Sequence, residues 1–144
     1  MTPIRAGVIG LALTALGCGS AGERLREHTY PPSFEYIEQS RLQSTMWELA
    51  WEVRKLDHAL REPTSDPAAQ QQQIAEILSR VETAVDGIAT PGRVTQHPLL
   101  NRNLPRFREL VDRARSDAAR TPPSYFTATT LVGSCSACHG SAQS

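Results

Sequence analysis

LQSTMWELAWEVRKLDHAL, residues 42–60, places Leu42, Met46, Leu49, Val53, Leu56 and Leu60 at alternating steps of four and three. That spacing returns to one side of an α-helix at every turn, so the six side chains form a continuous apolar seam. The helix is expected over about Phe34 to Leu60, with Ser33 as its cap and Pro63 just past its end. At about 1.5 Å per residue it would be roughly 40 Å long.

Three further segments carry the same periodicity. Asp66-Pro67 supplies a capping residue and a first-turn proline, and Ile74, Leu78, Val81, Val85 and Ile88 follow as a second seam. Gln70 to Gln73 reads as its solvated face, and Gly87 and Pro91-Gly92 as its end. The third segment covers about Leu99 to Arg120, with Leu100, Leu104, Phe107, Val111, Ala114 and Ala118 on the seam. Pro105 lies inside it, so the helix starts either near Asn103 or earlier, at His97-Pro98. The fourth begins after Thr121-Pro122-Pro123 and runs to about Gly140, with Ala128, Val132, Cys135 and His139 on one face. No strand pattern and no internal repeat interrupts the series. The expected fold is all-α, an antiparallel four-helix bundle over residues 34–144.

The N-terminus reads differently. Residues 1–17 combine a short n-region containing Arg5 with an uncharged apolar run, and Cys18 follows at once. This is the layout of a secretory signal peptide, too short to span a membrane comfortably. Thr14-Ala15-Leu16-Gly17-Cys18 resembles the lipobox of bacterial lipoproteins, with Ala15 where that motif prefers leucine. Cleavage after Ala21, behind Gly19-Ser20, is the rival. We take the lipoprotein reading, with Cys18 lipidated and residues 18–33 as a polar, mobile tether. Either cut exports the domain.

The chain of 144 residues has 15 acidic and 15 basic side chains, and Lys55 is its one lysine. Zero net charge gives no electrostatic basis for a nucleic-acid partner.

Cys135-Ser136-Ala137-Cys138-His139 is a CxxCH motif. On a helix, positions i, i+3 and i+4 share a face, so one turn can present two thiols and an imidazole together. That is the pattern of covalent haem attachment, with a thioether from each cysteine and the histidine on the iron. Other chemistries use CxxC. A thioredoxin-like pair needs a βαβ setting, and zinc needs further ligands that His28, His58 and His97 do not obviously supply. A Cys135–Cys138 disulfide in an exported protein stays open.

A C-terminal CxxCH on the fourth helix of a bundle resembles the class II cytochromes c, cytochrome c′ and the cytochrome c556 type. VGSCSACH, residues 132–139, looks like the end of their fourth helix. Class I cytochromes c place CxxCH near the start of the domain, with a methionine ligand well after it. The class II family usually carries an aromatic and a basic residue beyond the histidine, where this chain reads GSAQS at 140–144.

The resemblance implies one haem c and leaves two states for its far side. In the c556 type a methionine of the first helix is the sixth ligand. Met46 is the one methionine after the signal segment, and core packing is its other possible role. In cytochrome c′ an apolar residue of the first helix covers a vacant site that takes nitric oxide or carbon monoxide, and Leu42 would be that cover. Arg41 corresponds to the basic residue that meets a haem propionate. Trp47 and Trp51 flank the seam, where a porphyrin contact, a half-buried flank and a dimer contact are all open.

The expected function is a monohaem electron carrier of the bacterial periplasm, membrane-anchored by lipid. It would serve redox partner proteins of the envelope, with a homodimer possible and no enzymatic activity. The alternatives are a five-coordinate gas-binding cytochrome c′ and a haem-free helical lipoprotein.

Overall fold

The four seams become helices whose ends differ from the expected ones. The computed structural model describes residues 29, 31–62 and 64–140. The signal segment, Cys18 and the tether up to residue 28 lie outside the described residues. β1 (Phe34–Glu35) precedes α1 (Gln39–Arg61), α2 (Pro67–Ile88), β2 (Val94–Thr95), α3 (Pro98–Ala118), α4 (Phe126–Gly133) and α5 (Cys135–His139). The protein is mostly helical, of the all-α class, with little strand.

The first helix starts at Gln39, and Ser33 does not cap it. Glu38 stands at the N-cap without a side-chain bond. The cause is a non-local attachment. Phe34 and Glu35 pair in parallel with Val94 and Thr95, and the Ser33 carbonyl accepts from the Val94 amide at 2.8 Å. The Ile37 amide donates to Gln96 Oε1 at 3.0 Å, and Gln96 Nε2 donates back to the Ile37 carbonyl. Backbone groups used in this way cannot begin a helix. Asn101 holds the other strand, accepting from the Thr95 amide at 2.8 Å and donating to its carbonyl at 2.8 Å. The turn before β2 needs Gly92, whose φ of 78° lies where a Cβ is strained.

Asp66 caps α2 as its sequence predicts, accepting from the amides of Ala68 and Ala69 at 2.9 and 3.3 Å. The third helix takes the earlier of its two starts, with His97 at the N-cap and Pro98 in the first turn, and it continues through Pro105.

The core centres on α2, where Ile74, Ile77, Leu78, Val81, Ala84, Val85 and Ile88 are buried. Leu49, Val53, Leu56 and Ala59 of α1 and Leu104, Val111, Ala114 and Ala118 of α3 join the same cluster, with Ala128 and Leu131 of α4. Side chain to backbone bonds tie helix ends together. Arg41 Nη2 donates to the Gly87 carbonyl at 3.1 Å, and Gln70 Nε2 to the Ala59 carbonyl at 3.4 Å. Gln71 Nε2 donates to the Ala118 carbonyl at 2.8 Å, and Arg108 to that of Ala89. Thr127 Oγ1 donates to Asp117 Oδ2 at 2.6 Å.

Glu52 is the buried acidic residue among those described, 7% exposed. Burial alone would raise its pKa, but hydrogen bonds and charge from Lys55 and Arg80 hold it below the usual 4.5. Arg80 Nε lies 3.0 Å from Glu52 Oε2. Glu52→Gln is expected to cost about 1–3 kcal/mol in urea unfolding at neutral pH, toward the low end because both partners are partly solvated. A depressed folded pKa stabilises above the unfolded value and is lost as pH falls through the folded one. The gap between wild type and variant should therefore close only below pH 4.5; a gap independent of pH would contradict the ion-pair account.

Candidate functional site

α4 is held by its buried side, where Thr127, Ala128 and Leu131 face the core. It ends abruptly. The Ser134 amide and hydroxyl both donate to the Leu131 carbonyl, at 3.1 and 2.6 Å. A bond from an amide only three residues on tightens the last turn and closes the helix. α5 then begins at Cys135, with the Ser136 hydroxyl bonded to the Gly133 carbonyl at 3.1 Å.

The motif therefore occupies a short helix of its own rather than the extension of the fourth. Ala128 is buried and Val132 half-buried, whereas Cys135 and His139 are exposed, so the expected shared face does not continue through Ser134. Within α5 the backbone is helical, and Cys135, Cys138 and His139 keep the i, i+3, i+4 relation. Cys135 carries a free thiol.

α5 packs against α3 and α4. Beside it an open cleft of about 500 Å³ is lined by Phe107 and Leu110, by Arg106, Glu109 and Arg113, and by Asn103, Thr130 and Ser134. Arg113 Nη2 pairs with Glu109 at 2.9 Å. Asn103 Nδ2 is buried without a hydrogen-bond partner. Buried polar groups are normally paired, so this donor marks a place where a bound group could complete the site.

Leu42 and Met46 are half-buried and pack against the core cluster. Arg41 turns elsewhere, to the Gly87 carbonyl and to Glu35 at 3.5 Å. Among the described residues no Cα of α1 lies within 8 Å of α5. The structure thus brings the cysteines and His139 together on one turn, and does not place Arg41, Leu42 or Met46 in contact with that turn. His58 is exposed, with Nε2 3.3 Å from Glu62. His97 caps α3. Trp47 and Trp51 are exposed.

Asn103, Arg106, Leu110 and Arg113 line the candidate cleft and were not singled out by sequence. Their steps of three and four marked a second stripe on the third helix, beside the apolar seam through Phe107. Mixed chemistry disguised it.

Comparisons with protein-family models, with curated proteins and with solved structures return no match. The assignment of the site rests on chemistry. Covalently held haem needs two thiols and an imidazole on one turn, apolar surface for a flat ring, and cations for its carboxylates. The motif, Phe107 with Leu110, and Arg106 with Arg113 fit those needs.

With Cys135 exposed, iodoacetamide should alkylate it near completion in native, haem-free chain, as read by peptide mass spectrometry. Protection until denaturant is added would contradict this arrangement.

Proposed function

We propose that this chain is an exported monohaem c-type cytochrome of class II type that carries electrons in the cell envelope. The observation that carries the reading is the CxxCH sequence on a helical turn beside a cleft lined by Phe107 and Leu110 and by the charged side chains Arg106, Glu109 and Arg113. The end-to-end bonds and the cyclic packing of α1 on α2, α2 on α3, α3 on α4 and α4 on α1 support an antiparallel four-helix bundle.

Haem, when bound, supplies the one-electron chemistry. Cys135 and Cys138 would hold it covalently as thioethers. His139 would supply an imidazole to its iron. Arg106 and Arg113 offset the charge of the propionates, and Phe107 and Leu110 keep water from the ring. Met46, half-buried on α1, is the thioether of this chain that would serve as a second iron ligand.

The protein is a carrier, not an enzyme, and its partners are redox proteins of the periplasm, not nucleic acid. Cys18 is the lipid anchor. Among the described residues no helix is long and apolar enough to cross a membrane.

Protein matured in the periplasm should give a reduced pyridine haemochrome of c type, and Cys135→Ala with Cys138→Ala should abolish it. Absence of the signal from the wild type would sink the proposal. Met46→Ala should convert a low-spin spectrum to high spin and admit carbon monoxide; an unchanged spectrum would remove Met46 as ligand. Cys18→Ser should shift the protein from the membrane to the soluble fraction, and unchanged partition would refute lipidation there.

A further inference from the structure

The outward side of α1 carries a stripe opposite to its buried seam. Ser40, Gln43, Trp47, Trp51, Arg54, His58 and Arg61 follow one another at steps of three and four, and all are exposed. Trp47 is 72% exposed and Trp51 57%. A ring left so open in water forfeits most of the stabilisation its burial would bring. No carboxylate lies within the stripe. Arg61 pairs with Asp57 and His58 with Glu62, while Lys55 stands over the Trp51 ring at 5.8 Å from its centroid. Two indoles followed by cationic side chains are the composition of a helix face at a membrane–water boundary.

We propose that this face of α1 rests on the surface of the lipid bilayer, with the Trp47 and Trp51 rings at headgroup level. The proposal depends on the reading of Cys18 as a lipid anchor. The position of the anchor favours it. From Cys18 to Gln39, the first residue of α1, extended chain reaches at most about 70 Å, which keeps the domain beside the membrane. Trp47 lies about two turns from the end of α1 where that tether arrives. The size of the patch disfavours a protein partner. The two rings expose on the order of 300 Å², well below the roughly 800 Å² per partner of a stable interface.

The chain has two tryptophans, so its intrinsic fluorescence reports on this face alone. The full chain with its anchor is to be reconstituted in vesicles of phosphatidylethanolamine and phosphatidylglycerol, with and without brominated acyl chains. It is then recovered by flotation. Haem dims both samples alike, and the ratio of their emissions is the reading. Floating protein should show a roughly twofold drop with brominated lipid, as expected for rings at the interface. Floating protein with equal emission in both vesicles overturns the docking and leaves the anchor standing. Equal emission together with a doubled mass in detergent overturns it in favour of a contact between two copies. Protein that does not float overturns the anchor and the docking with it.

Discussion

Six side chains of α2, Ile74, Leu78, Val81, Val85, Ile77 and Ile88, are at most 3% exposed. Full burial of one such group stabilises by about 1.5–3 kcal/mol, and leaving it wet would forfeit that. A single partner helix cannot cover so wide a strip, so α1 must lie on one side of α2 and α3 on the other. α4 then closes the remaining gap through Ala128 and Leu131, each 0% exposed. The bonds from Arg41, Gln70, Gln71 and Arg108 to carbonyls of neighbouring helices satisfy backbone groups at helix ends that the core leaves over.

The CxxCH turn lies outside this constraint. Leu131 is the last buried side chain of the described chain, and the two bonds from Ser134 to its carbonyl stop the helix there. Among the described side chains of α5, Cys135, Ser136 and His139 take no part in the core cluster. Cys135 and His139 are consequently exposed instead of packed, and a bound group would add to the contacts that α5 makes with α3 and α4. In the proposed holoprotein the haem serves as the missing apolar partner of that end of the molecule, and binding to the folded chain alone would raise its stability.

Much of this was legible in the sequence, for a physical reason. Seams at steps of three and four are local, and the burial of Leu49, Val53, Leu56, Ile74, Leu78 and Val111 follows from spacing alone. Asp66-Pro67 is likewise a local signal, and it caps α2. The misplaced start of α1 has the opposite character. Ile37 is joined to Gln96 across 59 positions, and nothing near Ser33 announces that pairing. The break at Ser134 had a local signal in Gly133, a poor helix former common at helix ends, which the periodicity running on to Cys135 and His139 outweighed. The motif itself was plain, as five adjacent residues whose order has chemical meaning. Arg41 was not, because its partners Glu35 and Gly87 meet it only in the folded chain.

The central claim is that Cys135 and Cys138 hold haem covalently. Intact-mass spectrometry of denatured protein, after maturation in the periplasm, tests it most directly. The account predicts a gain of one haem mass that survives denaturation and maps to the peptide containing Cys135, Cys138 and His139. An unmodified mass from cells that load other c-type cytochromes would contradict it.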